Sequence, residues 1–198
     1  MQTTQGGPAG LGAPLKLAAH GAQSGWVIWL TGLSASGKTT IAVELERALE
    51  EAGRRIARID GDELRRGLCA DLGYSAADRS ENVRRAAAWA AASADAGFIA
   101  IVALISPFRA DREAARRAVI PSRFIEVYVA TPIEVCRRRD PKGLYARADR
   151  GEIAEFTGIS SPYEPPEFPE IVLETDQTAP IENVARIVDY LRSRECCS

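Results

Sequence analysis

One run of residues has the spacing of a phosphate-binding loop. Residues 32–39 read GLSASGKT, which matches the pattern G-x-x-x-x-G-K-[ST]. In such a loop, backbone N–H groups surround phosphate oxygens, the lysine (Lys38) reaches the terminal phosphates, and the hydroxyl (Thr39) can ligate Mg²⁺. The alternative interpretation is a glycine-rich turn that binds nothing. The predicted nucleotide-binding residues are Gly32, Leu33, Ser34, Ala35, Ser36, Gly37, Lys38, Thr39 and Thr40.

Two carboxylates, Asp60 and Asp62, follow the second predicted strand. The C-terminal edge of a parallel sheet is where the ligands of such folds collect. One of the two could therefore hold Mg²⁺ through water, while the other could accept the proton of a hydroxyl group. Alternatively, Asp62 caps a helix that begins near Glu63. A phosphate loop beside acceptor carboxylates, in a chain this short, favours a small-molecule kinase.

Several side chains could bind an acceptor that carries negative charge and a planar ring. Ser106 follows the most apolar predicted strand and so opens at the same sheet edge as the phosphate loop, unless it caps the next helix. Any single arginine in an arginine-rich chain is equally well explained as a solvated surface residue. The candidates are Arg65, Arg79, Asn82 and Arg109 for the anion and Tyr74 and Phe108 for the ring.

The composition excludes several other classes of function. The chain has 198 residues, 46% of them hydrophobic and 26% charged, which fits one globular domain. Its formal net charge of −2 disfavours a protein that binds nucleic acid or an anionic membrane surface. The only histidine is His20, so Ser-His-Asp catalysis and multi-histidine metal sites lack their residues.

The cysteines and the apolar runs indicate the compartment. Cys69, Cys136, Cys196 and Cys197 form no CxxC pair, which suits a reducing compartment. No apolar run approaches the roughly 20 residues that a membrane span needs, and the first residues lack the pattern of a secretory signal. We therefore expect a soluble, cytoplasmic protein.

Short apolar runs alternate with segments of helical period. Residues 25–31 and 98–105 are apolar runs typical of strands buried on both faces. Ser75 is a suitable N-cap for an alanine-rich helix that ends at Gly97. The alternation predicts an α/β fold with a parallel β-sheet flanked by helices on both sides. Strands are predicted at 25–31, 55–59, 98–105, 124–129 and 171–173, and helices at 38–52, 76–96, 109–118, 132–138 and 181–191.

One segment interrupts the alternation. Residues 139–169 are charged and proline-rich, and they form a longer connection than compact domains usually contain. Long insertions of this kind are often lids, and the prolines at its end favour a stiff return to the core. We predict a flexible N-terminal tail at 1–24, one domain at 25–194 that includes this lid, and a frayed C-terminus at 195–198.

The motifs together resemble the adenylyl-sulfate kinase (APS kinase) family. The segments that carry the resemblance are GLSASGKTT, RIDGDELR, DLGYSAADRSENVRR, ISPFRADR, RDPKGLYARADRGEIAEFTGI and SPYEPPEFPEI, within residues 25–191. The resemblance implies a three-layer P-loop kinase fold and transfer of the γ-phosphoryl group of ATP to the 3′-hydroxyl of adenosine 5′-phosphosulfate (APS), in sulfate assimilation. It also implies Mg²⁺ dependence and a homodimer, and any complex with ATP sulfurylase would form through separate chains.

The resemblance also assigns roles to matching positions: Asp60 would support Mg²⁺ together with Thr39, and Asp62 would orient or deprotonate the acceptor hydroxyl. The family is commonly described with a phosphoserine at the position of Ser106. We nevertheless expect direct transfer with Ser106 as a contact, because adjacent in-line substrates need no covalent intermediate. The expected catalytic residues are Lys38, Asp60, Asp62 and Ser106; the phosphosulfate and ribose contacts are Arg65, Arg79 and Asn82; the adenine contacts are Tyr74, Phe108 and Phe156; and the other substrate contacts are Asp62, Ile105, Ser106, Arg109, Lys142 and Leu144.

The chain departs from the family pattern at two positions. Position 35 is alanine where the family often has glycine, so a positive φ there would be strained. Tyr74 stands where the family usually has phenylalanine, which keeps the stacking face and adds a hydroxyl. Two other functions stay open: a P-loop kinase for another small acceptor, such as a sugar acid or nucleotide, and a regulatory nucleotide-binding subunit of a sulfurylase. The acceptor carboxylates and arginines argue against both.

Overall fold

The computed structural model describes residues 25–120 and 123–196. The predicted tail at 1–24 and the residue Cys197 lie outside these ranges. In the described part of the chain, no helix has the length and apolar character needed to cross a membrane.

Strands and helices alternate along the described chain. The strands are β1 (Trp26–Thr31), β2 (Ile56–Asp60), β3 (Ile99–Ala103), β4 (Phe124–Val129) and β5 (Ile171–Leu173). The helices are α1 (Lys38–Glu51), α2 (Gly61–Arg66), α3 (Ala76–Asp95), α4 (Arg109–Arg117), α5 (Ile133–Arg139), α6 (Leu144–Asp149) and α7 (Pro180–Glu195). Every neighbouring pair of strands is parallel, in the order β2-β3-β1-β4-β5, so the predicted α/β fold is confirmed.

The central strand β1 contributes to the hydrophobic core on both faces of the sheet. Ile28 and Leu30 belong to one cluster, with residues of α1 and α7, while Val27 and Trp29 belong to another, with residues of α3. All residues of β1 and β3 are buried, as expected for strands that helices cover on both sides. The two helical layers therefore hold the C-terminal edge of the sheet in a fixed position.

Two short helices are absent from the sequence-based prediction. Helix α2 begins directly after β2, and its N-cap is Asp60, whose side chain accepts a hydrogen bond from the backbone N–H of Asp62. The alternative in which Asp62 caps a helix near Glu63 is therefore wrong. Helix α6 lies within the lid. Each of these helices has six residues, which is too short for a helical period to be visible in the sequence.

The strand predicted at 98–105 is shorter in the structure. Strand β3 ends at Ala103, and Ser106 has a φ of 40°, so the chain leaves the sheet before this residue. The N-cap of α4 is Phe108, with no side-chain hydrogen bond to the helix. The alternative in which Ser106 caps this helix is therefore wrong, and its hydroxyl is available for other partners.

The C-terminal helix extends further than predicted. Helix α7 reaches Glu195, which the sequence places at the start of a frayed end. The Glu195 carboxylate accepts two hydrogen bonds from the Arg54 guanidinium, at 2.6 and 2.9 Å. This bidentate pair fixes the last turn of α7 to the chain that follows α1.

The lid, residues 139–169, packs on a small core. Cys136 of α5, Tyr145 of α6 and Phe156 are buried together, and we call these three residues the lid cluster. The rings of Tyr145 and Phe156 meet edge to face, with centroids 4.9 Å apart. The lid is therefore a packed element with a defined position over the sheet edge.

Candidate active site

The phosphate loop connects β1 to α1, as the sequence predicts. Gly37 has a φ of 106° and Gly32 a φ of 149°, which other residues rarely adopt. A Cβ on Gly32 would also lie 2.6 Å from the carbonyl oxygen of Val129, so the site has no room for a side chain. Ala35 has a φ of 59°, so the strain anticipated at this position is present.

The segments after β4 and β5 support the phosphate loop. The carbonyl oxygen of Ser36 accepts hydrogen bonds from the hydroxyl groups of Thr131, at 2.8 Å, and Thr175, at 2.7 Å. Arg139 in turn donates to the carbonyl oxygen of Thr175, at 2.7 Å. The sequence predicts no role for Thr131, Arg139 or Thr175: the two threonines lie outside every motif, and Arg139 opens the RDPKGLY segment without a role of its own.

Lys38 is the cation of the phosphate loop. Its Nζ donates to the carbonyl oxygens of Gly32, at 2.9 Å, and Leu33, at 2.6 Å. Burial lowers the pKa of the Lys38 ammonium group to about 8. A phosphate near this nitrogen would favour its charged form, because opposite charges stabilise one another where water is excluded.

A chain of polar contacts joins the phosphate loop to the acceptor carboxylates. Thr39 Oγ1 donates to Asp60 Oδ2 at 2.6 Å, and Asp60 Oδ1 accepts from the backbone N–H of Asp62 at 3.0 Å. The Asp62 carboxylate forms an ion pair with Lys142 of the lid. Asp60 therefore faces the phosphate loop, while Asp62 faces the lid.

Thr39 and Asp60 provide oxygen atoms that fit Mg²⁺. This ion is usually held by one or two protein oxygens, with waters and substrate phosphates completing its shell. Within residues 25–120 and 123–196, no group of three or more His, Cys, Asp or Glu residues could hold a metal alone.

A cleft of about 770 Å³ opens at the C-terminal edge of the sheet. The phosphate loop, the acceptor carboxylates and the lid all line it, so a single space joins the two predicted half-sites. The predicted site residues that line the cleft are Ser34, Ala35, Lys38, Thr39, Asp60, Asp62, Arg65, Tyr74, Arg79, Asn82, Ile105, Ser106, Lys142, Leu144 and Phe156.

Two predicted substrate contacts, Phe108 and Arg109, do not line this cleft. Arg109 Nε donates to the carbonyl oxygen of Pro165 at 2.8 Å, and its guanidinium pairs with Glu167. The chain turns away from the cleft after Pro107, and Arg109 binds the returning end of the lid, so a substrate contact from either residue stays a prediction.

The anion-binding candidates meet around Tyr74. The guanidinium carbon of Arg65 lies 4.1 Å from the centre of the Tyr74 ring. Arg79 donates to the carbonyl oxygens of Tyr74, at 2.8 Å, and Glu155, at 2.6 Å. Burial and the nearby charge of Arg65 both lower the pKa of Arg79. Two positive charges held together at the wall of a cleft are suited to bind an anion.

Two buried polar atoms belong to cleft-lining residues but have no protein partner. They are Nδ2 of Asn82 and Oγ1 of Thr157, neither of which makes a hydrogen bond to any described residue. Buried polar groups in proteins are nearly always satisfied, so such atoms beside a cleft are typical of a ligand site. Asn82 is a predicted site residue, whereas Thr157 lies in the RDPKGLYARADRGEIAEFTGI segment without a predicted role.

Comparison with known proteins identifies the family. Residues 24–174 match the family model for adenylylsulphate kinase. The chain belongs to the adenylyl-sulfate kinase family. It is 54% identical over 181 residues to the adenylyl-sulfate kinase of Emericella nidulans, a match that covers 87% of this chain and 88% of that protein. It is 50% identical over 169 residues to the adenylyl-sulfate kinase of Staphylococcus haemolyticus, a match that covers 85% of each chain.

A solved structure of the adenylyl-sulfate kinase family has the same fold. The Mycobacterium tuberculosis APS kinase CysC, in complex with AMPPNP and APS, superposes with a TM-score of 0.82 at 46% identity. The match covers 85% of this chain and 98% of that chain. The three-layer P-loop kinase fold expected from the sequence is therefore confirmed.

In this member of the adenylyl-sulfate kinase family, Ser106 lies within a buried hydrogen-bond network. Its Oγ accepts from Trp29 Nε1 at 3.1 Å and donates to Thr31 Oγ1 at 3.0 Å. The Arg112 guanidinium donates to the Ser106 carbonyl oxygen at 2.7 Å. The hydroxyl proton of Ser106 is thus directed at another hydroxyl, which is not a general base. Arg112 is a further residue that the sequence analysis did not identify.

Proposed function

We propose that this chain is an adenylyl-sulfate kinase that transfers the γ-phosphoryl group of ATP to the 3′-hydroxyl of APS, giving 3′-phosphoadenosine 5′-phosphosulfate and ADP. The observation that carries the proposal is the single cleft that Lys38 of the phosphate loop, Asp62 and the Arg65–Arg79 pair all line. Membership of the adenylyl-sulfate kinase family supports the same reaction.

The phosphate loop would bind the donor. Its backbone N–H groups and the N-terminus of α1 would surround the phosphates, and Lys38 would place its charge on the terminal ones. Thr39 and Asp60 would hold Mg²⁺, which when bound neutralises charge on the phosphate oxygens. The free protein already holds the Thr39 hydroxyl against Asp60, at 2.6 Å.

The opposite wall of the cleft would bind the acceptor. Arg65, Arg79 and Asn82 would contact the phosphosulfate and ribose, and the unpaired Nδ2 of Asn82 would gain a hydrogen-bond acceptor. Tyr74 and Phe156 would lie against the adenine ring. An acceptor without an anionic group would leave the two positive charges of these arginines without a counter-charge, which selects against neutral acceptors.

Asp62 would orient the 3′-hydroxyl and take its proton. The hydroxyl oxygen bonds to the γ-phosphorus, and the bond from that phosphorus to the β–γ bridging oxygen breaks with its electron pair leaving on ADP. Lys142, which pairs with Asp62, keeps a positive charge beside the reacting groups. Transfer is direct, and the buried hydroxyl of Ser106 supports a contact role for this residue.

The test is ADP release by the purified chain with Mg-ATP and low micromolar APS. Parallel reactions contain gluconate, AMP or no acceptor, and one contains EDTA. We expect ADP only with APS, a product heavier by one phosphoryl group by mass spectrometry, and no turnover with EDTA. ADP release with gluconate or AMP but not with APS would show that the acceptor is wrong. ATP binding without turnover on any acceptor would favour a regulatory subunit.

The assembly and the compartment are also proposals. We propose a homodimer, because apolar side chains are exposed at edge strand β5 and beside it, namely those of Val172, Phe168 and Ile181. Any complex with ATP sulfurylase would form between separate chains.

A cytoplasmic location is supported by the free thiols of Cys69 and Cys136 in the described chain.

A further inference from the structure

Ala35 adopts a backbone conformation that alanine rarely takes. Its φ is 59°, and among the non-glycine residues that the structure describes only Ser106, with a φ of 40°, also lies in the left-handed range above about 20°. Glycine would adopt this conformation without the steric clash of a Cβ atom. The contacts of the Ala35 methyl group indicate what offsets this clash.

The Ala35 side chain packs against the lid cluster. Ala35 and Leu33 are partly buried against Cys136, Tyr145 and Phe156. The lid residue Tyr145 is fully buried there. Because burial of apolar surface stabilises whatever brings the surfaces together, a methyl group at this position favours the packed position of the lid.

Two further contacts join the same stretch of the phosphate loop to the lid. Tyr145 Oη donates a hydrogen bond to the carbonyl oxygen of Ser34, at 3.1 Å. Gly158 approaches Leu33 so closely that a Cβ on Gly158 would lie 2.9 Å from Leu33 Cδ2. Residues 33–35 therefore contact both α6 and the segment that follows Phe156.

We propose that Ala35 is a positioning residue that couples the phosphate loop to the lid. Its methyl group holds the lid cluster against the loop. The lid in turn keeps Lys142 beside Asp62 and Phe156 in the wall of the cleft. The side chain of Ala35 thus acts through the lid and needs no contact with the reacting atoms.

Strain and packing predict opposite results for Ala35→Gly. If the methyl group only strains the backbone, glycine relieves the strain, raises thermal stability and leaves the lid as it is. If the methyl group couples the loop to the lid, glycine loosens the lid even though the backbone is relaxed. Glycine is compatible with a φ of 59°, so the variant is expected to fold.

The experiment is hydrogen–deuterium exchange of the full chain without substrates. For Ala35→Gly we expect amides of residues 144–157 to exchange at least about threefold faster, while amides of α1 stay unchanged. Tyr145→Phe removes only the hydrogen bond to Ser34 and should speed exchange in the same segment by a smaller factor. Ala70→Gly, at an exposed position outside both the lid cluster and α1, is the matched control and should change neither the exchange of residues 144–157 nor that of α1.

Unchanged lid exchange with a raised melting temperature would overturn the proposal, and so would faster exchange throughout the protein.

A kinetic measurement, which rests on the proposed function, adds a second readout. Ala35→Gly should raise the KM for APS several-fold while kcat changes less, because the acceptor wall of the cleft includes the lid. A KM unchanged from the wild type would contradict the coupling. Failure of APS turnover in the wild type would refute only the proposed function, because the exchange experiment uses no substrate.

Discussion

Asp60 and Asp62 are separated by one residue, yet they have different partners. Both oxygens of Asp60 are engaged, one by the Thr39 hydroxyl and the other by the backbone N–H of Asp62. The Asp62 carboxylate instead points to the lid, where it pairs with Lys142. This difference assigns Asp60 to the metal side of the proposed reaction and Asp62 to the acceptor side.

Asp62→Asn should lower turnover by at least about 100-fold, because the amide cannot take the proton of the acceptor hydroxyl. The affinity for ATP should stay within about twofold, because the phosphate loop is intact. The measurements are steady-state kinetics and calorimetric titration with ATP. Asp95→Asn, at an exposed carboxylate near the end of α3, is the matched control and should change neither quantity. An equal loss of ATP affinity in Asp62→Asn would assign Asp62 to the nucleotide site.

The lowered pKa of Lys38 predicts how the affinity for a nucleotide depends on pH. Its pKa of about 8 in the free protein means that the ammonium group is mostly charged at pH 7 and mostly neutral at pH 9. The dissociation constant for a non-hydrolysable ATP analogue should therefore rise about tenfold between these pH values. Lys38→Met should bind the analogue weakly, and its dissociation constant should not rise between pH 7 and pH 9. The same pH dependence in this variant would assign the titration to another group.

At the scale of the elements, Arg112 connects the acceptor side of the cleft to the sheet. It lies on α4, is 2% exposed, and donates to the carbonyl oxygens of Ser106 and Glu164, both at 2.7 Å. Its Nε donates to the Glu126 carboxylate on β4, at 2.8 Å. One side chain thus joins a helix, a strand, the loop that carries Ser106 and the returning end of the lid.

Arg112→Met should destabilise the protein by about 3 kcal/mol or more, because it removes the donor from two carbonyl oxygens and leaves the Glu126 carboxylate only its 3.5 Å pair with Arg116. The measurement is the free energy of unfolding in urea. Arg117→Met, at an exposed arginine of the same helix that pairs weakly with Glu113, should change stability by less than about 0.5 kcal/mol. Similar values for the two variants would show that the Arg112 contacts contribute little.

At the scale of the whole molecule, the proposed homodimer predicts a mass in solution of twice the 21.4 kDa of the chain. Light scattering coupled to gel filtration measures this mass. Phe168→Ser should weaken dimerisation about tenfold if the face beside β5 is the interface, because Phe168 is 88% exposed in the single chain. Leu68→Ser, at another exposed apolar residue, is the matched control. A mass of 21.4 kDa at micromolar concentration would contradict the dimer.

Features that depend on local spacing can be predicted from the sequence of this chain. The alternation of apolar runs and helical periods predicts the parallel sheet. The phosphate loop is readable from Gly32 to Thr39 because its glycines, lysine and hydroxyl must follow one another at fixed intervals. The capping box of α3 is readable for the same reason, since Ser75 and Asp78 are three residues apart.

Contacts between residues far apart in the chain follow from the tertiary structure. Thr131 and Thr175 reach Ser36 because the ends of β4 and β5 lie beside the phosphate loop, and no short pattern records that proximity. Within the ISPFRADR motif, spacing alone shows neither that Arg112 is buried against Glu126 of β4 nor that Phe108 and Arg109 lie outside the cleft. Spacing along the chain fixes local geometry, whereas contacts between separate elements depend on packing, which no single segment of sequence specifies.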